Sequence, residues 1–87
     1  MVELPLPFRL TSHARKRMAE RFISKALISD ALKNPTKIAQ DEQQRILIKK
    51  IYEKRGKKRL LLLALEREDI GLCVVTVIDT TKIKKYL

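Results

Sequence analysis

The chain changes its hydrophobic rhythm at Asn34-Pro35. Before that point apolar residues recur at helical spacing. After it they come in β-branched and leucine-rich runs. Pro lacks the backbone N–H that a continuing helix needs, and Asn tolerates the conformations that end one. A chain patterned this way predicts helices first and antiparallel strands second, which is the α+β class. Its 87 residues read as one domain, since domains run to roughly 50–250 residues. A domain of this size has one modest core and no room for a deep cofactor cavity. No cofactor is expected.

The first helix is expected over 13–22, with Thr11 or Ser12 as the N-cap whose oxygen accepts an orphan backbone N–H. Ala14, Met18 and Phe22 fall on one stripe, and His13, Arg17, Glu20 and Arg21 on the neighbouring face. A second helix is expected over 25–33, capped by Ser24, with Leu27, Ile28, Ala31 and Leu32 as its apolar stripe. Beyond Pro35, strands are expected over 36–40, 45–53, 59–66 and 71–79, with a hairpin turn at 67–71. The apolar run 60–65 marks a central strand, and Val74, Val75, Val77 and Ile78 are strongly β-forming. Residues 82–87 are expected to add a final short strand. Residues 4–10 hold Pro5 and Pro7 and read as an extended lead-in with a short edge strand. The simplest packing is two short N-terminal helices on one face of a twisted antiparallel sheet of about four strands.

Charge narrows the partners. The chain carries 20 Lys+Arg against 10 Asp+Glu, a formal charge of +10. Self-repulsion at this density favours contact with a polyanion, nucleic acid first and an anionic membrane surface second. The excess is uneven. Residues 36–59 hold nine basic and three acidic groups, whereas 60–87 hold four of each. The middle is therefore the exposed basic part and the last third the buried part. The densest run is Lys54, Arg55, Gly56, Lys57, Lys58 and Arg59. It reads as a hairpin tip turned by Gly56, with its cations placed to grip phosphates.

Other classes are set aside by composition. One Cys and one His form neither a disulfide framework nor a Cys-based zinc site. No 18-residue apolar run suggests a membrane span, and the first ten residues lack the pattern of a signal peptide. A cytoplasmic domain is expected. Cys73 lies in an apolar run and reads as a buried structural thiol. Asp79 and the group Glu66, Glu68 and Asp69 fall at strand ends, where solvated turn residues are the default.

The polar face of the first helix carries the chemistry. His13, Arg17 and Arg21 follow one another at single-turn spacing. Imidazole alone has an ordinary pKa near neutrality, about 6.5, and so gives and takes protons. Guanidinium offers a fork of donors suited to phosphate oxygens. Cleavage of RNA by its own 2′-hydroxyl needs these parts: a base for the hydroxyl proton, cations for the charged phosphorane, and a proton for the leaving oxygen.

The stretch from Ser12 through His13, Ala14, Arg17 and Met18 to Arg21 resembles the opening of a widespread family of small prokaryotic domains of unassigned function. Its pattern is His-Ala, two variable residues, Arg-Met, two variable residues and Arg, with a following helix that ends in Asn-Pro. Ile23-Ser24, Leu32-Lys33-Asn34-Pro35 and the strand Val75-Thr76-Val77-Ile78 fit the continuation. That family is similar in proposed fold to the barnase/EndoU/colicin/RelE-like ribonuclease toxins. The resemblance implies a metal-independent endoribonuclease of toxin type, and a small acidic antitoxin as partner. It carries over His13, Arg17 and Arg21 as site residues and Thr76 as a strand partner. It also points, in residue type, to a basic chain end with a tyrosine: Lys82, Lys84, Lys85 and Tyr86. Phe22 departs from the pattern, because the family often has Gly there. A Phe in the left-handed conformation costs roughly 1 kcal/mol or more. The link between the helices, and the aim of Arg21, are therefore expected to differ. Two rivals use the same charge: a module that holds RNA or DNA without chemistry, and a domain that docks an acidic protein.

Overall fold

A computed structural model describes residues 8–69 and 71–87. Of the expected lead-in over 4–10, residues 4–7, with Pro5 and Pro7, lie outside them, and 8–10 form a short strand at the edge of the sheet. The elements in chain order are β1 (Phe8–Leu10), α1 (Ser12–Arg21), α2 (Lys25–Lys33), β2 (Lys37–Gln40), β3 (Ile46–Lys54), β4 (Lys57–Glu68), β5 (Gly71–Thr80) and α3 (Ile83–Tyr86). The α+β class holds, but the sheet has five strands, in the order β1-β5-β4-β3-β2. It is also mixed rather than antiparallel, because β1 pairs with β5 in parallel. The chain crosses from β1 through both helices and three strands before it meets that partner, so no hairpin joins them. The leucine run puts β4 at the centre of the sheet, as its apolar character on both faces requires. Among the described residues, no helix is long and apolar enough to cross a membrane.

The helices begin where their caps dictate. Thr11 Oγ1 accepts from the Ala14 N–H at 3.1 Å, and Ser24 Oγ accepts from the Leu27 N–H at 3.1 Å. Ala14 and Met18 of α1, with Ile28, Ala31 and Leu32 of α2, are buried against Ile48, Leu61, Leu63, Leu65, Leu72, Val74 and Val77 of the sheet. Removing one such fully buried leucine to alanine costs about 2–5 kcal/mol in comparable cores. Lys50 fixes the end of α2. Its ammonium donates to the Asn34 carbonyl at 2.7 Å, a cation at the negative end of a helix.

Phe22 corrects two expectations. It does adopt the left-handed conformation, with φ 57° and ψ 43°. The link between the helices is therefore the one a Gly would make. The Ile23 N–H reaches back to the Met18 carbonyl at 2.9 Å and the Phe22 N–H to Ala19 at 3.5 Å, a Schellman ending. Phe22 thereby leaves the helical stripe and is 85% exposed instead of packing beneath Met18.

Residues 82–87 form no strand; 83–86 are the short helix α3. Ile83 and Tyr86 are half-buried while Lys84 and Lys85 are exposed. A spacing of three puts the two apolar residues on one side of a helical turn, whereas a strand would split them between faces. α3 packs against β4, and Lys37 ties down the chain end by donating to the Leu87 carbonyl at 3.0 Å.

One irregularity decides which side of β5 faces the helices. Leu65 pairs with Val74 but Ala64 pairs with Thr76, so Val75 is an extra residue, a β-bulge. The bulge resets the alternation. Val74 and Val77 both join the core, and Asp79, opposite Leu61, lands on the helix-covered face. Strict alternation from Val74 would have turned Asp79 away.

Candidate functional site

β1 pairs only with residues 72–74 of β5. The Thr11 N–H then bonds the Val74 carbonyl at 3.2 Å, beside the bulge, and α1 runs on along β5. Between α1 and the second half of β5 lies a groove of about 240 Å³ lined by His13, Arg17, Arg21, Thr76 and Asp79, among others. A wider groove of about 580 Å³ lies beside it, lined by Glu20, Arg21, Phe22, Lys54, Arg55, Lys57, Arg59 and Asp79. Arg21 and Asp79 line both, so the two grooves adjoin along the C-terminal end of α1, a two-part channel. His13, Arg17 and Arg21, expected as a group, are thus brought together; Thr76 borders the same groove, but it stands opposite Ala64, so its side chain belongs to the sheet face away from α1. The three residues of α1 are exposed to solvent there, and Thr76 is half-buried.

Asp79 overturns the expectation of a solvated strand end. Its side chain is 3% exposed. Tyr52 Oη donates to its Oδ1 at 2.6 Å, and Arg59 Nε lies 3.0 and 3.1 Å from its two oxygens. Arg59 Nη2 adds an ion pair at 3.0 Å. The register explains the meeting: Tyr52 stands opposite Arg59, Asp79 opposite Leu61, and all of these share the helix-covered face. Burial pushes the Asp79 carboxyl up, but hydrogen bonds from Arg59 and Tyr52 outweigh it and hold the group below the usual carboxylate range. Burial and the bond to Asp79 push the Tyr52 phenol up to about 12. Asp79 is therefore an ionised carboxylate that fixes one guanidinium at the edge of the channel.

The basic run is not all hairpin tip. Only Arg55 and Gly56, with φ of 53° and 77°, make the turn, a two-residue loop of the type that needs positive φ. Lys54, Lys57, Lys58 and Arg59 belong to the strands, so they alternate between faces. Arg55, Lys57 and Arg59 line the channel. Lys58, opposite Glu53, takes the other face and is not brought to it. Lys54 lines the channel too, but its ammonium donates to the Arg21 carbonyl at 3.1 Å and to Phe22 at 3.5 Å, capping α1. Lys82, Lys84 and Tyr86 sit at or in α3 and line neither groove. The tyrosine in the channel's supporting network is Tyr52. Sequence reading missed it, because only the strand register places it beside Asp79. Cys73 is buried, and burial pushes its thiol up, which fits an inert structural role. Glu66, Glu68 and Asp69 are exposed, as expected.

The channel is therefore strongly cationic, with an imidazole at one end and two carboxylates, the exposed Glu20 and the ion-paired Asp79, among its lining. No curated protein and no solved structure matches the chain. The domain of unknown function DUF4258 matches residues 10–85, a span that includes both long helices and β2 to β5. With the helix-1 motif and nearly all of the fold inside that span, the chain belongs to the DUF4258 family.

Proposed function

We propose that the protein binds RNA along this channel and cleaves it without a metal, by attack of a 2′-hydroxyl on the neighbouring phosphodiester. The observation that carries the reading is the shared groove of His13, Arg17 and Arg21 beside the cationic hairpin. His13 takes the hydroxyl proton as the O2′–P bond forms. The P–O5′ bond breaks, and the leaving oxygen takes a proton from solvent. The products are a 2′,3′-cyclic phosphate and a 5′-hydroxyl. Arg17 and Arg21 stabilise the charge that develops on the phosphoryl oxygens. Arg59, oriented by Asp79, holds a flanking phosphate together with Arg55 and Lys57. A small acidic antitoxin would cover the same cations.

The test is cleavage of end-labelled RNA by the purified protein in a chelator, with and without ribosomes. A positioned general base contributes about 10²–10⁴ in rate, so His13→Ala is expected to lower cleavage at least 100-fold and affinity far less. Intact RNA in every condition would remove the nuclease and leave a binding module.

A further inference from the structure

We infer that Phe22 is a stacking platform for an unpaired base of the bound RNA, with Arg55 and Lys57 holding the phosphates beside it. The inference rests on the RNA-binding part of the reading above and not on cleavage. Three observations converge on this residue. First, Phe22 is 85% exposed, the most open large hydrophobic residue among the described residues. Second, its backbone sits at φ 57°, where every side chain is strained and Gly is at ease. The bonds that end α1 there are made by backbone N–H groups, so the fold needs no ring at this position. Packing offsets these costs only through the cation–π contact from Lys54, a weak one at an exposed site. Third, the ring lines the wider groove among Arg21, Lys54, Arg55 and Lys57, with the Lys54 ammonium 5.7 Å from its centroid.

An aromatic face set among cations matches the two halves of a nucleotide. The ring takes the base, and the cations take the phosphates. Base stacking of this kind tolerates any sequence, because every base has a π-face, but it requires a base that is free of a partner. The expected ligand is therefore a single strand or a loop rather than a duplex.

The chain contains no Trp, so Phe22→Trp supplies a single fluorescent reporter at the site. Phe22→Gly keeps the helix ending and relieves its strain, and a thermal melt checks that it folds. The probes are a short single-stranded oligoribonucleotide, a duplex of the same length and vesicles of anionic lipid. Phe22→Gly is expected to weaken single-strand affinity about tenfold and to leave duplex affinity unchanged. Phe22→Trp is expected to restore it, with fluorescence quenched on single-strand binding. Wild-type affinity in Phe22→Gly, unquenched Trp at saturation, or quenching by vesicles alone would overturn the proposal. Quenched Trp without cleavage supports it and removes only the nuclease. Cleavage with unquenched Trp removes only the stacking role.

Discussion

The β4–β5 pair carries an arginine–carboxylate contact at each end, and the two differ in what surrounds them. At the turn end, Arg9 of β1 meets Glu68, with side chains 61% and 35% exposed. At the far end, Arg59 meets Asp79, with side chains 25% and 3% exposed and Tyr52 closing the network. Both contacts involve more than one hydrogen bond. Water competes freely for the first pair and barely reaches the carboxylate of the second. An exposed pair contributes little to stability. A buried carboxylate cannot be left unpaired without a large cost. Burial, rather than the pairing itself, thus makes the Arg59 end the costlier one to break, and the candidate channel is built against it.

Substitutions at the two ends test that contrast. Asp79→Ala has the largest expected effect, a loss of about 3 kcal/mol in denaturant unfolding at neutral pH. The lower end of the range for a broken buried pair applies, because Arg59 keeps some contact with water. The sign with pH follows from the depressed carboxyl. Its contribution is present in full above the ordinary carboxylate pKa of about 4. It is lost as pH falls through the lower folded value, so wild type and Asp79→Ala should converge there. Equal unfolding midpoints at pH 7 would show the network to be dispensable.

Tyr52→Phe should cost about 1.5 kcal/mol, the value of one hydrogen bond to a charged acceptor. Its alkaline counterpart is a spectroscopic titration. Of the two tyrosines, Tyr52 should ionise at about 12. Because that value is raised, its stabilising effect is complete below the ordinary phenol pKa of about 10 and disappears as pH rises through 12. A high-pH absorbance step that Tyr52→Phe fails to remove would break the assignment. The smallest effect is expected at the other end. Glu68→Ala should leave the unfolding midpoint unchanged, and a clear drop would erase the distinction between the ends.

Much of the fold is legible in local pattern. The caps at Thr11 and Ser24, the stop at Asn34-Pro35 and the leucine run of β4 rest on backbone hydrogen-bonding needs that act within a few residues. The helix-1 face is legible for the same reason, since single-turn spacing alone aligns His13, Arg17 and Arg21. What local pattern leaves out involves distant partners. β1 pairs with a strand some 60 residues away. α3 helps close the chain end although its residues also suit a strand. The basic run 54–59 divides between two faces once the turn is confined to Arg55 and Gly56.

The amino-acid sequence by itself determined the helix pair, the β-rich remainder, the cationic surface and the histidine–arginine face, because spacing, caps and net charge are properties of neighbours along the chain. The tertiary structure alone decided the five-stranded mixed sheet and the meeting of Tyr52, Arg59 and Asp79. The physical reason lies in one extra residue. Val75 bulges from β5 and reverses the facing of everything after it. Alternation reports a side chain's face only until the register slips, and the register is set by the partner strand.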